Sequence, residues 1–346
     1  MLGAIFIIEP RREREGSDNA ADPSASLSVA PQLGTPLACV EILGCSVLGR
    51  LAEDLQRNGA EAVSILADGA FAQSGGVQAA IVPVFWTDNS RRDATRELAR
   101  FADRGFTEVI LIRASVYAEI DFASALKFHR DQVQPSTPIV DDKGSLDIWI
   151  VDPSMPIEGD LFATLRATEA VPYLTGGYVN RLENAHDLRR LISDSLLGRC
   201  RLRPYAIESR PGVWLADGAQ VHRAARIVAP AFIGRGAKIS EQCLITRCSN
   251  VESNSHVDYG TVVEDSSILP NSYIGIGLDV AHSIVDGNNL LNLQHGVVLE
   301  VSDPGLIRQT RPRKDSLRQA LVSFGFGEPV FSPAEETTPG KPGFGS

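Results

Sequence analysis

Ten aliphatic residues stand six apart without a break: Leu215, Val221, Ile227, Ile233, Ile239, Ile245, Val251, Val257, Val263 and Leu269. Four positions after each of the first nine comes a small side chain, Ala219, Ala225, Ala231, Ala237, Cys243, Ser249, Ser255, Thr261 and Ser267, before Tyr273 breaks the series. Helices repeat every ~3.6 residues and strands every ~2, so neither produces a period of six. A hexad repeat predicts a parallel β-helix, in which each hexad is a short flat strand plus a corner. The large aliphatic then points inward and the small residue fits the turn. Sequence register alone would also allow a β-sandwich whose apolar residues fell into step, but an unbroken run of this length argues against chance.

The pattern before residue 205 is different. Residues 3–8 are a continuous apolar run, as in a strand buried on both faces of a parallel sheet. Residues 9–34 are charged and then rich in Ser, Ala, Asp and Pro, which predicts a long mobile loop. Strand-like runs at 62–66, 79–86, 107–113 and 146–151 alternate with helical spacing at 46–58, 88–104, 122–132, 161–168 and 184–197. Strands alternating with helices predict a doubly wound, mostly parallel α/β sheet. Asp121 reads as the cap of the helix that begins near Phe122. The expected organisation is an α/β domain over 1–205, a β-helix with its cap over 206–308, and a short helix with a disordered tail over 309–346. Residues 274–301 lose the six-residue beat and are expected to cap the last coil.

Composition narrows the function. With 33 Lys and Arg against 43 Asp and Glu the net charge is −10, and the basic run Arg91, Arg92, Arg96 and Arg100 reads as a solvated helix face, so nucleic acid is not the expected partner. Five cysteines, without the close pairing of a zinc site, read as reduced thiols in a cytoplasmic protein. The opening MLGAIFII is too short for a membrane span and lacks the basic lead of a signal peptide, so it reads as a first strand.

The hexads resemble those of the hexapeptide-repeat family, in which three hexads make one coil of a left-handed β-helix. An α/β domain followed by such a coil is similar to the sugar-nucleotide pyrophosphorylases, which join an NTP to a sugar 1-phosphate. Three segments carry the resemblance: 35–66, like the family's Lys-Pro-leading segment, helix and strand; 108–132, like its Asn-Gly-Asp strand and the helix after it; and 176–197 (GGYVNRLENAHDLRRLISDSLL), like its Gly-Tyr-Trp-x-Asp segment.

At the positions that carry chemistry in that family this chain departs from the pattern. A Gly-rich phosphate loop is expected after the first strand, where the backbone must approach phosphates closely. Here Glu9, Pro10, Arg11, Arg12, Glu13, Arg14 and Glu15 stand instead. The phosphate-contacting Lys is matched by Thr35. The two metal-binding aspartates fall on Ser115, preceded by Arg113 and Ala114, and on Arg181. Mg²⁺ is a hard cation that takes oxygen ligands, so an arginine there places charge of the wrong sign.

The resemblance therefore implies a degenerate nucleotidyltransferase-like protein without turnover. Its expected partners are a sugar nucleotide or sugar phosphate, and either further copies of itself or an active paralogue that it regulates. Arg113, Ser115, Gly177, Asn180 and Arg181 are the candidate ligand-binding residues, no cofactor is expected, and Mg²⁺ is required only if the chain is active. Arg113 and Arg181 leave two readings open, a metal-free phosphate site or a structural pair with no ligand. An active nucleotidyltransferase and a hexapeptide acyltransferase remain as alternatives. For the latter, His222 and His256 lie among the hexads but in slots expected to face solvent. Asp279, His282 and Asp286 read as a polar cap rather than a metal set.

Overall fold

The computed structural model describes residues 1–8, 37–68, 84–87, 90–113, 116–157 and 159–310. Seven strands form the main sheet: β1 (Leu2–Ile8), β2 (Ala60–Asp68), β3 (Val84–Thr87), β4 (Glu108–Arg113), β5 (Ser136–Asp141), β6 (Gly144–Val151) and β7 (Tyr173–Leu174), in the spatial order β3-β2-β1-β4-β6-β5-β7. β1 runs parallel to β2 and β4, β2 to β3, and β7 to β5; β6 alone is reversed, pairing antiparallel with β4 and β5.

β1 has no polar face because both sides are covered. Ala4, Phe6 and Ile8 pack with Ile110, Ile112, Ile148 and Ile150 under the helices α1 (Val47–Arg57), α3 (Phe122–Gln132) and α5 (Ala185–Leu196). Ile5 and Ile7 pack on the other side with Leu111, Trp149 and Val151 under α2 (Ser90–Asp103) and α4 (Leu161–Ala167). Phe101 of α2 lies so close over Gly3 that a Cβ there would sit 2.3 Å from its ring. Four helices begin at side-chain caps: Ser46, Asp121, Asp160 and Asn184 accept the N–H of Gly49, Ser124, Phe162 and Asp187 at 3.0, 3.1, 2.8 and 3.0 Å. Each such cap stabilises its helix by roughly 1 kcal/mol.

The hairpin β5-β6 departs from the helix–strand alternation expected from the sequence, which left 133–145 without an element. Pro138 and the polar Ser136 and Thr137 mask a strand there. β7 reaches only Ile139 and Val140, so β5 is an edge at Pro138, where proline is tolerated.

From residue 207 on, all the secondary structure among the described residues is short strands. The chain visits three parallel sheets in turn, and each strand pairs with the one 18 residues on, as in Gln220↔Lys238, Arg226↔Leu244 and Phe232↔Asn250. Ile227, Ile233, Ile239, Ile245, Val251, Val257 and Val263 point inward into one cluster, with Leu215 and Val221 packed on its open end. The small residues bond as well as fit. Ser249, Ser255 and Thr261 hydroxyls donate to the carbonyls of Val263, Leu269 and Gly275, each 14 residues on, at 3.2, 2.9 and 2.5 Å.

Two expectations are corrected. Leu269 does not continue the inward series. One residue is dropped at the corner after Val263 and a second between Val280 and Val285, so the pairing step is 17 (Asn250↔Ser267, Ser267↔Ile284), and Ile268, Ile274, Val280 and Val285 carry the interior onward. The stacked strands accordingly run on to Ser283–Asp286, beyond where the beat fades in the sequence. The antiparallel strands Asn289–Asn292 and Val297–Glu300 then cover that end.

The boundary near residue 205 is a change of architecture but not of core. Trp214, Phe232, Asn250, Ser267, Ile284 and Leu291 stack in register on the outer face of one coil sheet. Phe232, Leu269, Ile284 and Leu291 belong to the same buried cluster as Phe6 and Ile110 of the α/β sheet. The proposed loop 9–34 and the helix and tail after residue 315 lie outside the described residues.

Candidate functional site

Strand order reverses between β1, which leads outward to β2 and β3, and β4, which leads the other way. In open α/β sheets ligands bind outside the carboxyl ends of the strands at such a switch. Ile8 and Arg113 end the two strands there, with Ile7 paired to Arg113.

Arg113 donates to Asp147 at 2.9 Å, and its guanidinium stacks 5.2 Å above the buried ring of Phe162. Asp147 also pairs with Arg166 at 3.7 Å. The register of β5 and β6 slips between Ile139 and Val140, and in that bulge Asp147 adopts a left-handed backbone with φ 55°. Bulges re-aim side chains, and a non-glycine residue at positive φ stores local strain.

Arg181 is anchored to the other side of the same hairpin. Its guanidinium bonds the carboxylate of Asp141 and donates to the carbonyl of Ser145 at 2.8 Å. The structure therefore ties both candidate arginines to carboxylates of residues 141–147. Asn180 is fully buried and its amide is spent locally, donating to Asp187 O at 2.8 Å and accepting from Leu182 N at 3.0 Å at the start of α5. Gly177 is where two chain segments cross, since a Cβ there would fall 1.9 Å from the carbonyl oxygen of Glu119. Ser115 lies outside the described residues.

Asp141 and Asp147 were not singled out from the sequence. The only signal was acidic side chains inside and beside a run that otherwise reads as an apolar strand.

A second polar cluster joins the α/β domain to the coil. Strands Glu41–Ile42 and Cys45–Ser46 form a hairpin whose tip, Leu43 and Gly44, has φ 52° and 86°. Successive N–H groups in this conformation form an anion-binding nest. The nest is filled by Glu252 of the coil, which is wholly buried and accepts from Leu43 N at 2.6 Å, Gly44 N at 3.1 Å and Asn250 Nδ2 at 2.6 Å. Burial, with Glu41 adding to it, pushes the Glu252 carboxyl up to about 8 despite these donors, and burial raises Glu41 as well. Arg50 clamps the same hairpin by donating to Leu43 O at 2.9 Å and to Arg203 O at 2.6 Å. Arg189 of α5 reaches the coil corner, donating to Cys248 O at 2.8 Å and to the Asp265 carboxylate at 2.9 Å.

Among the histidines, His222 is exposed and 3.8 Å from Glu241, whereas His256 is half-buried with Nε2 3.0 Å from Ser240 Oγ, and burial lowers its pKa. His282 pairs with Asp265 at 2.7 Å, and among the described residues no three His, Cys, Asp or Glu side chains gather as a metal set. All five cysteines are free thiols; burial raises Cys39 to about 12 and Cys200 to about 11. An open groove lined by Leu2, Glu108, His129, Arg130, Gln134 and Asp152 lies at the amino ends of β1 and β4, away from the switch. No helix among the described residues is long and apolar enough to cross a membrane.

Set against known proteins, the chain matches no protein-family model and no curated protein.

Proposed function

We propose that this protein is a nucleotidyltransferase-like, non-catalytic subunit of sugar-nucleotide or polysaccharide metabolism, which binds a sugar nucleotide or sugar phosphate and assembles with copies of itself or an active paralogue. On this reading the three-sheet coil is a left-handed β-helix of the hexapeptide-repeat kind. The observation that supports it best is the strand reversal beside Arg113, in a sheet that shares its core with the coil. The Mg²⁺ of active relatives does not fit the donor set. At the position matched to a metal-binding aspartate stands Arg181, whose guanidinium already takes the Asp141 carboxylate.

Mixing the protein with Mg²⁺, NTPs and sugar 1-phosphates is expected to release no pyrophosphate. A thermal-shift screen with NDP-sugars is expected to show stabilisation, about 2.7 kcal/mol at a hundred times the dissociation constant. Steady pyrophosphate release would overturn the non-catalytic reading, and the absence of any shift would overturn the ligand.

One observation favours acyl transfer as a second reading. His256 lies half-buried with Nε2 within hydrogen-bonding reach of Ser240 Oγ, and burial favours its neutral form, the form from which a general base acts. A shift with acyl-CoA that His256→Ala removes would support it over the first.

A further inference from the structure

Asp147 is placed as a ligand oxyanion would be. Its two oxygens face two different guanidiniums, Oδ2 toward Arg113 at 2.9 Å and Oδ1 toward Arg166 at 3.7 Å. Arginine forks are suited to the oxygens of a phosphate as much as to those of a carboxylate. Arg113 does not depend on Asp147 for its position, because it also stacks over Phe162, which is wholly buried. Arg166 is on the last turn of α4 with its side chain about half exposed, so it is free to follow an incoming anion.

Asp147, by contrast, sits on irregular backbone. It sits in the bulge, its backbone is in the left-handed region at φ 55°, and its N–H donates to a side chain, Ser145 Oγ, at 3.1 Å. Bulged residues in sparsely populated backbone conformations recur at sites that must change shape. The cluster lies at the carboxyl end of β4, at the strand reversal.

We propose that Asp147 is an internal stand-in for a ligand phosphate, closing a two-arginine anion site formed by Arg113 and Arg166, and that the ligand which opens it presents a phosphate or diphosphate group. The inference rests on the reading of the strand switch as a ligand site, and adds that the site is shut in the free protein.

The test is calorimetric titration with inorganic pyrophosphate at low ionic strength, using the full chain. Asp147→Gly removes the carboxylate while glycine accepts the left-handed backbone without strain. Asp147→Asn serves as a second variant that retains the side-chain volume. Both are expected to bind pyrophosphate at least tenfold more tightly than the unaltered protein, and adding Arg113→Gln to Asp147→Gly is expected to abolish the gain. Equal affinity in the unaltered protein and both variants overturns the proposal, as does a gain that survives Arg113→Gln, or no binding by any of them. The unaltered protein is also screened with NDP-sugars. A shift there without any gain in the variants keeps the sugar-nucleotide reading and sinks the closed site; a gain in the variants without nucleotide preference does the reverse.

Discussion

A carboxyl oxygen of Glu252, on the coil, accepts the backbone N–H of Leu43, at the tip of a hairpin 209 residues earlier in the chain, at 2.6 Å in a wholly buried setting. Glu252→Ala leaves that N–H, the N–H of Gly44 and the Asn250 amide without an acceptor. Each unmet buried donor costs about 1–3 kcal/mol, so unfolding in urea should show a loss on the order of 3 kcal/mol or more. A loss under 1 kcal/mol would show that the nest finds other partners.

The same residue predicts a pH dependence. Its folded pKa, about 8, is above the ordinary 4.5, so the folded state holds a proton that the unfolded state releases between these values. The contribution is fully present below about pH 4.5 and is lost as pH rises through about 8. Glu41, raised by burial, acts in the same direction. Melting temperature should therefore fall from pH 6 to pH 8.5 more steeply in the unaltered protein than in Glu252→Gln, which has no proton to lose. Parallel slopes would remove Glu252 as the cause.

Phe232 tests whether the coil and the α/β domain are one folding unit. It projects from the coil into the cluster that contains Phe6 and Ile110. Phe232→Ala should cost about 3–5 kcal/mol, and the near-ultraviolet and far-ultraviolet transitions of the unaltered protein should coincide. Two separated transitions would contradict a common core.

Arg189 is 5% exposed and bonds the carbonyls of Cys248 and Asp265 together with the Asp265 carboxylate. Arg189→Met removes the charge but strands these acceptors and leaves Asp265 with His282 alone. A cost of about 3 kcal/mol is expected, with faster amide exchange concentrated at 247–265. Exchange unchanged in that segment would show that the arginine does not hold the corner.

Gly177→Ala forces a Cβ to 1.9 Å from Glu119 O. The strands Tyr117–Ala118 and Val179–Asn180 must separate, at about 1–3 kcal/mol. If the variant is as stable as the unaltered protein, the close crossing is not tight in solution.

Much of the architecture was legible because it depends on local periodicity. Six-residue spacing from Leu215 to Val263 follows directly from a flat strand plus a corner, and the Asp121 end follows from capping chemistry. The slips after Val263 and after Val280 were hidden, because Leu269 keeps the sequence beat while Ile268 takes the interior; each dropped corner residue moves every later side chain. The hairpin β5-β6 was hidden by Pro138, acceptable only because β7 pairs beyond it.

The candidate site was less legible. Arg113 and Arg181 stood out as charges in places where the resembling family carries Asn and Asp, but a single sequence does not show what a guanidinium touches. Asp141 and Asp147 reach them by a hairpin and a bulge, while Asn180 and Gly177, grouped with them by adjacency in sequence, are occupied by local backbone bonds to Asp187 and Leu182 and by a chain crossing.

By itself the sequence determined the repeat, the inward aliphatics and the alternation of strand and helix, because these follow from backbone periods and the burial of apolar side chains. Only the tertiary structure decided which outer face of the coil is covered. Trp214, Phe232, Asn250, Ser267, Ile284 and Leu291 occupy outward slots like those of Lys238 and His256, and they are distinguished only by the α/β domain that packs over them. Burial of a polar group such as Glu252 or Arg189 likewise depends on a partner far away in the chain, and no local pattern encodes that distance.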